Sequence, residues 1–98
     1  MNPTSRPDSA PEVQHQAESQ RFVVFTPQGL ALCSYRREGN VLVLPHTEVP
    51  AALEGRGIAA ALVAAALAWA RSEGLKVQPA CSYVAAYMRR HPETQDLL

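Results

Sequence analysis

The chain has 98 residues, a hydrophobic fraction of 47%, and 9 basic against 9 acidic side chains. This length allows one small domain, and the apolar fraction excludes a wholly disordered chain. The net charge of zero argues against a dedicated nucleic-acid-binding protein, because such proteins usually carry a basic surplus, so we expect no nucleic-acid partner.

The two cysteines, Cys33 and Cys81, are not part of the closely spaced Cys and His pairs that form a zinc-finger site. A short secreted chain more often has several cysteines at framework spacings. The N-terminus has no apolar signal segment, and the longest apolar run, residues 58–70, is too short and too rich in alanine to span a bilayer. We therefore expect a cytoplasmic protein with reduced thiols, no metal and no membrane partner.

Residues 1–20 are rich in Pro, Ser, Gln and charged residues and contain few large apolar side chains. Such a segment buries too little surface to offset the entropy lost when it is ordered. We predict a disordered N-terminal tail over residues 1–20, in which His15 is a solvated residue, followed by a folded domain over residues 21–98.

The first part of the domain predicts a small antiparallel sheet. β-branched, aromatic and apolar residues indicate strands at residues 21–25, 30–36 and 41–44. Reversal signals that contain Pro or Gly separate the strands, so we expect a meander. Alternation places Ala31, Cys33 and Tyr35 on one face of the second strand, and the wholly apolar third strand should be covered on both faces.

Residues 54–63 predict a glycine turn that runs directly into a helix. Gly55 and Gly57 allow the backbone to bend sharply. The first turn of a helix has N–H groups without intrahelical partners, and the positive end of the helix dipole lies there as well. Residues 55–60 are therefore a candidate site for an anion such as phosphate. The helix itself should run from Arg56 to Glu73 and lie mostly buried on the sheet.

A short strand over residues 76–81 follows that helix. Because a strand–helix–strand unit joins parallel strands, it should lie parallel to residues 41–44. Ser82 can cap a second helix, which runs from Tyr83 to about His91 and is ended by Pro92. The predicted fold is α/β (α+β), an antiparallel meander followed by a β-α-β-α unit.

A set of motifs in this order resembles the small GCN5-related N-acetyltransferase-like proteins, a reduced branch of the GNAT superfamily, over residues 21–98. The motifs are His46-Thr47-Glu48-Val49-Pro50, Gly55-Arg56-Gly57-Ile58-Ala59, Pro79-Ala80-Cys81-Ser82-Tyr83, and Tyr87 followed by His91-Pro92-Glu93. The resemblance implies a mixed sheet in which two parallel central strands, here 41–48 and 77–81, splay apart. It also implies that acetyl-CoA, or CoA, lies in the gap.

The resemblance also implies which residues contact the cofactor. Backbone amides of the glycine loop would hold the pyrophosphate, and the end of the third strand would pair with the pantetheine arm. The predicted cofactor-binding residues are therefore Thr47, Glu48, Val49, Gly55, Arg56, Gly57, Ile58, Ala59 and Ala60. The chain departs from the superfamily at Ala52, where Gln or Arg is usual. It also lacks the N-terminal elements that shape the acceptor site in larger members.

Several residues near the expected gap are candidates for catalysis. Cys81 precedes a helix N-terminus, which favours the thiolate, so it could accept an acetyl group with His46 as the base. Alternatively Glu48 removes a proton from the acceptor amine, which attacks the bound acetyl-CoA directly. Tyr83 or Tyr87 could protonate the departing CoA thiolate, as a tyrosine on this helix does in the superfamily. Each of these side chains also has an ordinary structural interpretation as a packed or solvated residue.

The leading interpretation is a monomeric N-acetyltransferase that moves an acetyl group from acetyl-CoA to an unidentified amine on a small molecule or protein. A CoA-binding sensor or interaction module with little or no catalysis is the alternative. A structural protein whose alanine-rich helix packs on a partner is a third. Residues 55–60 also fit the dinucleotide pattern G-x-G-x-x-A, but that fingerprint requires an acidic residue where the next strand here ends in Cys81-Ser82.

Overall fold

The structure is a computed structural model that describes residues 11–98. A single sheet has the order β1-β2-β3-β4-β5, in which β4 and β5 are parallel and the other neighbours antiparallel. The elements are β1 (Gln14–Gln16), β2 (Arg21–Thr26), β3 (Gly29–Glu38), β4 (Val41–Glu48), α1 (Ile58–Ser72), β5 (Lys76–Gln78) and α2 (Ser82–Arg90), with short 3-10 helices at Ala17–Ser19, Ala51–Leu53 and Pro92–Leu97. The predicted fold class is confirmed.

One hydrophobic core lies between a face of the sheet and the two helices. Leu42 and Leu44 of β4 pack in it with Leu62 of α1 and with Val84 and Met88 of α2. The alternation predicted for β3 is confirmed, because Ala31, Cys33 and Tyr35 are the buried set. None of the helices in the described part of the chain combines the length and the apolarity that crossing a bilayer requires.

The N-terminal segment shows the clearest error of the sequence analysis. For residues 14–20 the prediction of a disordered tail is wrong, because β1 pairs along β2. His15 is exposed, yet its ring stacks on Phe22 with centroids 4.2 Å apart and its Nε2 lies 2.7 Å from the Tyr35 hydroxyl. Ladder hydrogen bonds and this stacking order the segment, and Val13 directly before it packs against the core. The part of the predicted tail over residues 1–10 lies outside the described residues.

The element boundaries differ from the predicted ones where backbone geometry intervenes. Helix α1 begins at Ile58 rather than Arg56, because Gly55 and Gly57 have positive φ angles of 83° and 82° that a helix cannot contain. Strand β4 ends at Glu48, which is beyond the Leu44 limit of the residue pattern and agrees with the 41–48 strand that the resemblance implied. Strand β5 in turn ends at Gln78, before the predicted limit. The last two differences both concern the point where β4 and β5 separate.

Candidate functional site

The end of β4 contains a β-bulge that opens the site. Ser34 pairs with His46 and Arg36 pairs with Val43, so β4 has one residue more than β3 over this stretch. Leu44 and the exposed Pro45 therefore lie together opposite Tyr35. Proline suits this position because it has no N–H to contribute to the ladder. The extra residue reverses the faces of the side chains that follow it.

The same bulge marks the point where the parallel strands separate. Strand β5 pairs with Val41–Val43 of β4, and the last link between the two segments is the Cys81 N–H, which donates to the Leu44 carbonyl at 2.9 Å. Beyond Leu44 the edge of β4 that faces β5 has no ladder partner among the described residues. This is the splayed arrangement that the resemblance implied.

The glycine loop places unused backbone donors beside this gap. The first helical hydrogen bond of α1 runs from the Ala61 N–H to the Gly57 carbonyl at 3.0 Å. Within residues 11–98, the amides of Ile58, Ala59 and Ala60 have no backbone acceptor. No acidic residue stands in the first turn of α1, so the positive end of the helix dipole is not neutralised locally. The loop can therefore receive an anion.

A cavity of about 370 Å³ connects the splayed strands to this loop. Its walls come from the end of β4, the loop before α1, and the starts of both helices. Of the predicted cofactor-binding residues, all except Glu48 and Arg56 line it. The lining residues are Thr47, Val49, Leu53, Glu54, Gly55, Gly57, Ile58, Ala59, Ala60 and Tyr83.

Two of the lining residues were missed by the sequence analysis. Leu53 is 8% exposed and ends a 3-10 turn whose first hydrogen bond joins its N–H to the Pro50 carbonyl at 2.8 Å. An isolated Leu three residues after Pro50 and directly before the glycine loop was the signal that could have identified it. Glu54 is exposed at the cavity wall, and its charge opposes an anion there. Only the spatial position of this carboxylate reveals that effect.

Cys81 lies next to the cavity as the N-cap residue of α2. Burial acts to raise the pKa of its thiol, but hydrogen bonds outweigh that effect and lower the pKa from its ordinary value. The groups that favour the thiolate are the backbone amides of Val84, Tyr83 and Thr47 and the Thr47 hydroxyl. The buried Cys33 behaves oppositely, because desolvation raises its pKa to about 11. Cys81 is therefore the more readily ionised thiol.

His46 and Glu48 lie on the other face of the sheet. Their partners across the β3–β4 ladder are Ser34 and Leu32, whereas Thr47 pairs with the core residue Cys33. The His46 Nε2 is 3.2 Å from the Glu48 carboxylate, and both side chains are exposed. The sequence analysis considered His46 as a base for Cys81. The structure instead places His46 beside Glu48, on the face of β4 away from Cys81. The reason is the bulge, which reverses the faces after Leu44.

The two tyrosines of α2 occupy different places. Tyr83 lines the cavity, while the Tyr87 ring stacks on His91 with centroids 3.9 Å apart and borders a separate groove of about 200 Å³. Burial, together with Glu93 and Tyr83, raises the pKa of Tyr87. Tyr83 is therefore the one of the pair that borders the cavity. Within residues 11–98, no group of three or more His, Cys, Asp or Glu residues is placed to hold a metal ion.

Comparisons with known proteins agree with this architecture. Protein NATD1 of Xenopus tropicalis is 36% identical over 94 residues, which covers 93% of this chain and 86% of that protein. Protein NATD1 of Homo sapiens is 38% identical over 88 residues, with 87% and 78% covered. A GCN5-like protein of Staphylococcus aureus, solved by NMR in solution, superposes with a TM-score of 0.72 at 26% identity, covering 91% of this chain and 88% of its own.

The family model described as GCN5-related N-acetyl-transferase matches residues 21–97, and this range includes β2 to β5, both helices, the glycine loop and the bulge. The two relatives cover 93% and 87% of this chain, and the similar solved structure has the same fold. The chain belongs to the GCN5-related N-acetyltransferase family.

Proposed function

We propose that this chain binds acetyl-CoA and transfers the acetyl group to an amine. The observation that carries the proposal is the cavity of about 370 Å³, which joins the free amides at the start of α1 to the unpaired edge of β4. One end of this cavity suits phosphate and the other suits an extended chain that makes peptide-like hydrogen bonds. Family membership supports CoA as the molecule with both parts.

The residues present fit such a ligand. A Cβ added at Gly55 or Gly57 would meet no atom within 4 Å, so a phosphate can approach the backbone there. The amides of Ile58, Ala59 and Ala60 would hold the pyrophosphate. The β4 backbone at Thr47 to Val49 would pair with the pantetheine arm. When bound, acetyl-CoA supplies an acetyl group activated as a thioester.

The chain's own groups can divide the chemistry between them. Cys81 Sγ, as the thiolate, is the nucleophile that takes the acetyl group at its carbonyl carbon. Tyr83, which lines the cavity, would give its hydroxyl proton to the CoA sulfur, which would leave with the bonding electrons. The acceptor amine then displaces Cys81 Sγ and returns one proton to Tyr83, which restores both groups. In the direct route, Glu48 would take the proton of an amine that attacks the thioester carbonyl carbon without an S-acetyl intermediate. The carbon–sulfur bond would break, Tyr83 would protonate the CoA sulfur, and exchange with water would restore Glu48 and Tyr83.

A CoA-binding module without efficient chemistry is the second candidate. It is favoured by the exposure of His46 and Glu48, whose side chains are 59% and 64% exposed. Binding of acetyl-CoA without transfer to any amine would be its signature.

Calorimetric titration with acetyl-CoA tests the binding, and Gly57→Ala is the informative variant. Gly39→Ala is the matched control, because Gly39 also has a positive φ, of 61°, with open space around it but lies away from the cavity. Both substitutions carry left-handed strain of about 1–2 kcal/mol, so both should lower stability alike. Gly57→Ala should also weaken binding about tenfold, because the loop amides move.

Transfer is measured next, with a panel of amines and with mass spectrometry of the protein. The Cys81 route predicts a chain that is one acetyl group heavier after acetyl-CoA is added without an amine. No heat and no thermal protection at millimolar acetyl-CoA would overturn the proposed function altogether. If the two glycine variants weakened acetyl-CoA binding equally, the glycine loop would not be the site that binds the phosphates.

A further inference from the structure

The Thr47 hydroxyl lies between the two cysteine sulfurs of the chain. Its Oγ1 is 3.9 Å from the Cys33 Sγ and 3.7 Å from the Cys81 Sγ. Thr47 is the ladder partner of Cys33 across β3 and β4. Cys81 in turn is tied to β4 through its N–H bond to Leu44. Backbone pairing therefore fixes the spacing of all three side chains.

The hydrogen bonds of this group all run in one direction. The Cys81 S–H donates to the Thr47 oxygen, the Thr47 O–H donates to the Cys33 sulfur, and the Cys33 S–H donates to the Ser34 carbonyl at 3.9 Å. A hydroxyl has one proton to donate and lone pairs to accept with. If Cys81 loses its proton, it can no longer donate, and the Thr47 O–H is free to turn towards it.

Among the side chains around Cys81, Thr47 is the one placed to donate a hydrogen bond to its thiolate. Within residues 11–98, the Thr47 hydroxyl is the one side-chain partner of the Cys81 sulfur, and the other groups that favour the thiolate are backbone amides. The titratable groups nearby are Cys33 on β3 and Tyr83 on α2, while His46 and Glu48 lie on the opposite face of β4. Cys33 is fully buried and its pKa is raised to about 11, so it stays a neutral acceptor.

We propose that Thr47 is a positioning residue whose hydroxyl rests on the Cys33 sulfur while Cys81 is a thiol and turns to hold the Cys81 sulfur as a thiolate. In the proposed function, this readies the nucleophile and also holds it against the end of β4. Cys33, which otherwise only fills the core, is then the resting partner of the hydroxyl. The importance of this device rests on acetyl transfer through Cys81, but the device itself can be tested without acetyl-CoA.

The test measures the rate at which iodoacetamide alkylates Cys81 as a function of pH, in the protein alone and with mass spectrometry to locate the label. Thr47→Val removes the hydroxyl at nearly constant shape, and Thr47→Ser keeps it. If the Thr47 hydroxyl donates a hydrogen bond to the charged sulfur, Thr47→Val should raise the midpoint pH of Cys81 alkylation by about one unit. Below that midpoint, alkylation should be about tenfold slower. Thr47→Ser should stay close to the wild-type midpoint.

Cys33→Ala gives the sharper signature. In Cys33→Ala the Thr47 hydroxyl has no hydrogen bond to the Cys33 sulfur to give up when it turns to Cys81. The midpoint pH of alkylation should therefore fall, whereas Thr47→Val should raise it. A merely structural loosening of the core would move both variants the same way. Thermal unfolding checks that each variant is folded, and Thr47→Ser guards against a failure of Thr47→Val.

The outcomes are distinguishable from those of the proposed function. An unchanged midpoint in folded Thr47→Val, or shifts of the same sign in Thr47→Val and Cys33→Ala, would overturn the proposal even if acetyl transfer is robust. Shifts of opposite sign would support the role of Thr47 even if the protein transferred no acetyl group. In that case only the proposed acetyl transfer would be wrong.

Discussion

The two faces of β4 beyond its bulge differ in almost every chemical respect. On the face towards the helices, the Thr47 hydroxyl lies between two thiols, and the cavity for the ligand begins there. On the opposite face, one residue away in either direction, the exposed side chains of His46 and Glu48 contact each other. One strand thus presents a hydroxyl beside two thiols on one side and a carboxylate on the other. The two proposed routes of acetyl transfer differ in which of these faces meets the acceptor.

The largest effect should come from Cys81→Ala. If the helix-facing side carries the chemistry, this change removes the nucleophile and should reduce the transfer rate by at least about a thousandfold, as loss of a covalent nucleophile does elsewhere. Steady-state transfer with the best amine of the panel measures it. Ser82→Ala, at the exposed neighbouring residue, is the control and should keep the wild-type rate.

Glu48→Gln is the competing variant in the same assay. It removes the charge from the opposite face and leaves the backbone of β4 in place. A Glu48→Gln protein that loses transfer while Cys81→Ala keeps it would invert the comparison and establish the direct route.

The features of the fold that follow from the sequence are those set by interactions between residues close together in the chain. The strands, the glycine loop and the start of α1 follow from local patterns, because turn residues and apolar runs act over a few neighbours. Extending the alternation of Leu42 and Leu44 along β4 would place residue 46, not Thr47, on the helix side. The extra residue that reverses this is set by pairing with β3, a tertiary contact that periodicity within one strand does not report.

The N-terminal strand was missed for a related reason. Gln14 and Gln16 have no apolar pattern, and β1 exists because β2 offers an edge and because His15 finds an aromatic surface. Trp69 of α1 completes that surface with its ring centroid 4.7 Å from that of His15. A partner that distant in the chain cannot be inferred from the composition of a short polar segment.

A middle-sized effect should separate the two tyrosines of α2. Tyr83→Phe removes the hydroxyl of a residue that lines the cavity and should lower the turnover number about a hundredfold, which is typical of a lost general acid. Tyr87→Phe alters a ring held against His91 outside the cavity and should change turnover less than about twofold. If Tyr87→Phe is the damaging change, the leaving sulfur of CoA lies nearer to the second groove. Single-turnover kinetics distinguish a loss of chemistry from slower product release.

The smallest effect should come from changing a charge at the cavity wall. The test compares Glu54, on the cavity side of the sheet, with Glu48 on the opposite face. Glu54 borders the cavity beside the glycine loop, so its charge opposes the phosphates of CoA, whereas Glu48 lies across the sheet. Glu54→Gln should tighten CoA binding about two- to fivefold at low ionic strength, since exposed charges interact weakly through water. Adding salt should reduce the gain. Glu48→Gln should leave the affinity unchanged in the same titration, and an equal gain from both variants would show that CoA senses only the net charge of the protein and not a wall of this cavity.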